Sequence, residues 1–113
     1  MKALTKYAVV YVPARLPHGL FTRQLNRAAG GVIVEQVSGM YTDSPHLQTS
    51  IRLTVHTSAE TEDTVFQIIT RLIIHLIELG ERGILVKELD AEPNEWALYD
   101  ERDLDELKAD LIP

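Results

Sequence analysis

Apolar and polar positions alternate in one segment of this chain and recur at helical spacing in two longer ones. The alternation is clearest in the predicted strand 51–57, where Ile51, Leu53 and Val55 alternate with polar residues, as in a strand with one buried face. Three further segments rich in β-branched or aromatic residues, 6–12, 32–37 and 84–89, are typical of strands. The pattern therefore predicts four strands.

The same pattern predicts two helices between these strands. Leu20–Ala29 has apolar residues at helical spacing and is followed by Gly30-Gly31 as a stop signal. Glu60–Leu79 is the longer helix, and we expect Ser58 to cap its start and Gly80 to end it. Between the second and third strands, the hydroxyl-rich segment Thr42–Ser50 is expected to be a loop.

The resulting order is strand, helix, strand, strand, helix, strand. This order predicts an α+β fold of the ferredoxin-like βαββαβ type, with a four-stranded antiparallel sheet and two helices on one face. We expect residues 1–90 to form this domain and residues 91–113 to be an acidic extension packed on it. Within the extension, Trp96–Tyr99 suggests a short strand, and three leucines on an acidic background suggest a short last helix.

The chain has more apolar surface than a two-layer domain should need. On the longer helix the apolar positions cover an arc of about 180°, wider than the stripe of roughly 100° that a surface helix usually shows. The sheet face opposite the helices also stays partly apolar, whichever side of the first strand it includes. A second copy of the chain, forming a homodimer or a higher homo-oligomer, or the chain's own C-terminal extension would cover the excess.

Composition narrows the class of protein. The 113 residues include no cysteine, which excludes disulfides, thiolate chemistry and cysteine-based zinc sites. No apolar run is long enough for a membrane span and no secretory signal is visible, so we expect a soluble cytoplasmic protein without a membrane partner. The net charge of −6 is uneven: residues 1–87 sum to +2, with nine basic and seven acidic residues, and residues 88–113 sum to −8, with two and ten.

Motifs for metal binding and catalysis are weak. No two of the four histidines are spaced as on a helical metal site, and no serine lies in a Gly-x-Ser-x-Gly turn. Because Gly30-Gly31 follows a helix, it does not have the order of a phosphate-binding loop. We therefore predict no metal, no cofactor and no assigned catalytic residue. Tyr41, Asp43 and His46 remain a conceivable acid/base cluster in the loop.

The candidate ligand site is cationic. Arginine side chains suit phosphates and carboxylates, so an anionic, nucleotide-like ligand is one possibility. No basic stripe is interleaved with aromatic residues, so direct nucleic-acid binding is not expected. The candidate residues are Arg15, Arg23, Arg27, Arg52 and His56.

The acidic extension is the candidate protein-binding segment. An amphipathic acidic helix could dock on a basic groove of a host protein, and plain solvation of the chain end is the alternative. The residues proposed for this contact are Asp100, Glu101, Asp103, Leu104 and Leu107.

The spacing of the turn glycines is similar to that in a group of known proteins. The spacing of Gly30-Gly31, Gly39-x-Tyr41 and Leu79-Gly80-Glu81, followed by the strand at residues 84–89, resembles a loose group of small uncharacterised bacterial and bacteriophage proteins with a ferredoxin-like fold. The likeness covers about residues 5–90. Members often have Gln soon after the Gly-Glu pair, where this chain has Arg82. The resemblance implies the fold and a phage connection, and it brings no catalytic residues.

Three functional hypotheses follow. The leading one is a non-enzymatic oligomeric binding module, such as a phage-type accessory or inhibitor protein that engages a host macromolecule. The alternatives are a small-ligand protein that sequesters an anionic nucleotide-like molecule, and a small cofactor-independent enzyme.

Overall fold

Strands and helices alternate along the chain largely in the predicted order. The computed structural model describes residues 1, 3–41 and 44–113, without the side chains of residues 40, 41 and 44–46. The strands are β1 (Lys6–Pro13), β2 (Ile33–Tyr41), β3 (Ser44–Thr57), β4 (Ile84–Lys87) and β5 (Ala97–Tyr99). The helices are α1 (Gly19–Ala29), α2 (Glu62–Glu78) and α3 (Leu104–Ala109), and a 3-10 turn at Glu101–Asp103 precedes α3.

The strands form one antiparallel sheet in the order β2-β3-β1-β4-β5. The part of the chain that the structure describes is thus a mixed α+β fold with a five-stranded sheet and three helices. The predicted four-stranded sheet is wrong, because Ala97–Tyr99 of the C-terminal extension pairs with Ile84–Val86 and adds an edge strand. The ferredoxin-like arrangement stays a prediction.

The core lies between the sheet and the helices. On the inner face of the sheet, Val10 pairs with Leu53 on one side and Val86 on the other, and each is at most 2% exposed. Helix α2 is buried around most of its circumference, since α1 packs along one side and α3 along another. Even Ile74, next to the exposed Arg71 side of α2, is only 7% exposed. Much of the apolar excess on this helix is therefore covered by the chain itself.

The helix ends follow the predicted glycines but not the predicted cap. Gly30 and Gly80 have φ angles of 80° and 98°, a left-handed conformation that glycine adopts without strain, and they lie just beyond α1 and α2. Ser58 does not cap α2, because residues 58–61 first form a turn in which the Thr61 backbone N–H donates to the Ser58 carbonyl at 3.2 Å. Helix α2 therefore starts at Glu62.

The predicted loop Thr42–Ser50 is also mostly wrong. Strand β3 begins at Ser44 and continues without interruption to Thr57, so most of this segment is strand. Its hydroxyl residues resemble a turn in sequence, but pairing with β2, for example between Gly39 and Gln48, satisfies their backbone groups. Residues 42 and 43 lie outside the described part of the chain.

Candidate functional site

A cavity of about 270 Å³ lies between helix α2 and the sheet, next to α3. This volume is near the lower end for small-molecule sites, which hold roughly 300 to 1,000 Å³. Its walls combine apolar and polar groups and come from β1, α2, β4, β5, α3 and the chain just after β4 and α3. The lining residues are Ala8, Phe66, Ile69, Thr70, Ile73, Val86, Glu88, Leu89, Tyr99, Glu106, Leu107 and Asp110.

The cavity exists because a small side chain sits on the central strand and a short helix closes the opposite wall. Ala8 presents only a methyl group to the core, where Val10 and Val12 fill the next positions of the same face. Helix α3 is held on α2 by Leu107, which is 5% exposed, and by the side-chain amide of Gln67. That amide donates to the Asp110 carbonyl and accepts from the backbone N–H of residue 112, both at 2.9 Å.

Carboxylates give the cavity a negative rim. Glu88, Glu106 and Asp110 line it, and none of its described lining residues is Lys, Arg or His. Partial burial raises the pKa of the Glu88 carboxyl, and the nearby negative charges of Asp110, Asp90 and Glu106 raise it further. The cavity therefore favours a cation with an apolar body and disfavours phosphates.

Two aromatic rings border this acidic rim. Phe66 is 43% exposed on α2, and Tyr99 on β5 is half-buried against the core. The hydroxyl of Thr70 donates to the Phe66 carbonyl at 2.8 Å, so this donor serves the helix backbone. Flat, apolar ring faces beside carboxylates suit a ligand that joins an aromatic base to a positive charge.

The structure does not bring the predicted cationic residues together. Arg52 and His56 point from the outer face of β3, whereas Arg23 and Arg27 belong to α1, which covers the inner face. Arg15 donates to Glu81 at 3.1 Å, in a separate surface ion pair. A sheet thus separates these side chains, and they do not form one ligand site.

Arg52 is also engaged within its own face. Its guanidinium donates to the Glu35 carboxylate at 3.3 Å and to the Tyr11 hydroxyl at 3.1 Å. His56 lies beside the Tyr7 ring, with 5.5 Å between ring centroids. These groups build a partnered network on the sheet surface.

The residues of the acidic extension that were predicted to bind a host protein mainly stabilise the extension itself. Asp100 accepts from the Arg102 backbone N–H at 2.9 Å and pairs with its guanidinium at 2.7 Å, and these two hydrogen bonds hold the pKa of Asp100 below its usual range. Asp103 accepts from the Asp100 N–H at 2.9 Å, completing a capping box. Leu107 is buried and Leu104 packs partly against the core, while Glu101 is exposed. Docking of this segment on a host protein stays a prediction.

The predicted acid/base cluster lies outside what the structure describes. Asp43 is not in the described residues, and the side chains of Tyr41 and His46 are not described. Among the residues that are, no group of three or more His, Asp or Glu is arranged to hold a metal ion. Likewise, no helix in the described ranges combines the length and apolar character needed to cross a bilayer.

The sequence did not identify Glu88, the carboxylate whose pKa is raised. Glu88 follows the predicted fourth strand, whose inward positions Ile84 and Val86 are fully buried. Directly after this strand, Glu88 is exposed, and it lines the cavity together with Val86. A carboxylate immediately after a buried strand was therefore the available signal.

Comparison with known proteins adds a structural neighbour. No family model matches this chain, and no curated protein matches it in sequence. In fold, the chain is similar to a phage SAM lyase in complex with S-methyl-5'-thioadenosine, with a TM-score of 0.51 and 11% sequence identity over 88% of this chain and 95% of the other. At this identity the likeness shows the fold alone.

This neighbour corrects the leading functional hypothesis. A non-enzymatic binding module was expected, but the similar structure belongs to an enzyme with a bound thioadenosine ligand. The finding also agrees with the phage connection that the turn glycines suggested.

Proposed function

We propose that this chain is a small cofactor-independent enzyme that cleaves a carbon–sulfur bond of an S-adenosyl sulfonium compound in the cavity between α2, the sheet and α3. The observation that supports this most is the charge of the cavity, whose described lining combines apolar and aromatic side chains with three carboxylates and no basic residue. The fold likeness to a SAM lyase supports the same class of substrate.

Electrostatics distinguish this substrate from the anionic nucleotide of the earlier alternative. A sulfonium carries a fixed positive charge next to an adenosine group with an aromatic base. Glu88, Glu106 and Asp110 attract that charge, and partial burial strengthens the attraction over that in water. The same carboxylates would repel the phosphates of a nucleotide.

Glu88 is the proposed proton acceptor. In a lyase reaction the carbon–sulfur bond breaks, its electron pair moves to sulfur, and the sulfonium becomes a neutral thioether. A proton leaves the neighbouring carbon as a double bond forms, and the ionised Glu88 carboxylate takes it. Because its pKa is raised, Glu88 is a stronger base than an ordinary surface carboxylate.

The test measures product formation from S-adenosylmethionine. We expect the purified protein to release S-methyl-5'-thioadenosine, quantified by liquid chromatography with mass spectrometry. Glu88→Gln should lower the rate about 10²- to 10⁴-fold, the usual contribution of a general base. Glu78→Gln, an exposed carboxylate of α2 outside the cavity lining, is the matched control and should keep the rate. No product from the unaltered chain, or full activity of Glu88→Gln, would overturn the proposal.

We also infer that the first six elements are a ferredoxin-like unit extended by the acidic C-terminal segment. The strand order β2-β3-β1-β4 with antiparallel neighbours supports this inference. Strand β5 and helix α3 then add to β4 and α2, and they supply Tyr99, Glu106, Leu107 and Asp110 to the cavity.

A further inference from the structure

The sheet face opposite the helices, called the outer face below, has a partly buried centre and exposed apolar residues toward its edges. Its position follows from the register, because residues paired across antiparallel strands point to the same side. The outer face comprises Tyr7, Val9, Tyr11, Ile33, Glu35, Val37, Arg52, Thr54, His56, Leu85, Lys87 and Leu98, with Trp96 beside Tyr11.

The cations of the outer face already have partners. Lys87 is only 3% exposed; its amine donates to the Tyr7 carbonyl at 2.9 Å and lies 3.9 Å from the centroid of the Tyr7 ring. Arg52 is paired with Glu35 and with the Tyr11 hydroxyl. A phosphate chain arriving on this face would have to compete with these contacts for each cation.

Large apolar side chains flank this network. Ile33 on β2 is 53% exposed, and Leu98 on β5, at the far edge of the sheet, is 69% exposed. Trp96 is 43% exposed, with its ring centroid 5.9 Å from that of Tyr11. Apolar groups around a partnered polar centre resemble the composition of a protein–protein contact, in which aromatic residues and arginine are enriched.

We propose that the outer face binds a second copy of this chain. Charge complementarity favours this occupant, because Glu35 and Arg52 lie side by side and two such faces related by a two-fold axis present each carboxylate to the other copy's guanidinium. Burial leaves no cation of the face unpaired, since Lys87 and Arg52 keep their partners within the chain. Self-association also covers Ile33, Leu98 and Trp96.

This surface is separate from the proposed catalytic cavity. The cavity lies on the helical side of the sheet and shares no lining residue with the outer face. Loss of self-association and loss of product formation are therefore independent results, and either proposal can fail alone.

The first test is the mass of the full chain in solution. Analytical ultracentrifugation and native mass spectrometry at about 1 to 100 µM should show a multiple of 12.7 kDa. Ile33→Glu and Leu98→Glu place a carboxylate in the contact and should return the 12.7 kDa species with an unchanged circular dichroism spectrum. Leu20→Glu is the matched control, because Leu20 is 58% exposed on α1, across the molecule, and this variant should stay associated.

Trp96 provides a second readout at the surface itself. It is the one tryptophan of the chain, so intrinsic tryptophan emission reports on this face. Emission should shift to shorter wavelength as concentration rises, and it should not shift for Leu98→Glu. The proposal is overturned by a 12.7 kDa species at every concentration, or by equal dissociation of Leu20→Glu. Association that persists in both face variants, or an oligothymidylate that quenches Trp96 of a monomer, would also overturn it.

Discussion

Glu88 links the stability of the protein to its proposed chemistry. Burial and neighbouring carboxylates raise its pKa in the folded state, so the native chain holds this proton more tightly than the unfolded chain. The free energy of unfolding is highest, as far as Glu88 contributes to it, at pH values below the pKa that Glu88 has in the unfolded chain. This contribution falls as the pH rises from that pKa to the higher pKa of Glu88 in the folded chain, and it stays low above it.

We expect Glu88→Gln to raise the melting temperature at pH 7 and to change it little at pH 4, because the amide removes the cost of a partly desolvated charge beside other carboxylates only where the acid would be ionised. Thermal denaturation followed by circular dichroism across this pH range checks it. Glu78→Gln, on the exposed side of α2, should show no such pH-dependent gain. A loss of stability at pH 7 for the Glu88 variant would contradict the assigned environment.

The role of a residue was predictable from the sequence only where that role depends on its immediate neighbours in the chain. Gly30 and Gly80 were assigned correctly because a left-handed helix end needs glycine whatever surrounds it. The arginines that were predicted as one group lie apart, because one-dimensional spacing does not show that a sheet lies between Arg23 and Arg52. Whether a carboxylate lines a cavity depends likewise on tertiary packing.

Helix α3 depends for its order on contacts with the rest of the fold. Six residues are too few for a helix to be stable alone in water, so packing must hold it in place. Leu107 supplies the apolar contact and Gln67 fastens the end of the helix through two backbone groups.

Gln67→Ala should therefore speed amide hydrogen exchange in residues 104–112 while leaving β1 and β3 protected, because only the local opening becomes easier. Hydrogen exchange with mass spectrometry measures this directly. Gln36→Ala, an exposed position on β2, is the control and should leave α3 unchanged. Uniformly faster exchange across the chain would show that Gln67 supports the whole fold instead.

Other element boundaries were set by pairing that the sequence does not reveal. Residues 44–50 contain turn-forming types, yet β2 supplies strand partners for this segment. The three residues of β5 become a strand because β4 offers a free edge. Long periodic elements such as α2 were predictable, since their apolar pattern spans several turns.

Over the whole molecule, negative charge is concentrated where the C-terminal segment folds back. The Glu88 carboxylate lies near three other carboxylates, and their charges raise its pKa: Asp90, Glu106 and Asp110. Of these three, Asp90 is exposed and is paired with Lys6. Like charges held this close oppose the compact state, and dissolved salt screens them.

Raising sodium chloride from about 20 mM to about 500 mM should therefore raise the melting temperature at pH 7, since the Debye length shortens from tens of ångströms to a few. The gain should shrink at pH 4, where carboxylates take up protons. Differential scanning calorimetry at both pH values measures the effect. A melting temperature that falls with salt at pH 7 would mean that attractive ion pairs outweigh the repulsion.

The cavity is lined by residues that are far apart in the sequence. Ala8 and Asp110 are more than a hundred residues apart in sequence, yet both line the same space. A nascent chain that has the complete sheet but has not yet released its last helix has no closed binding site. The cavity can therefore close only after helix α3 has packed on the rest of the fold.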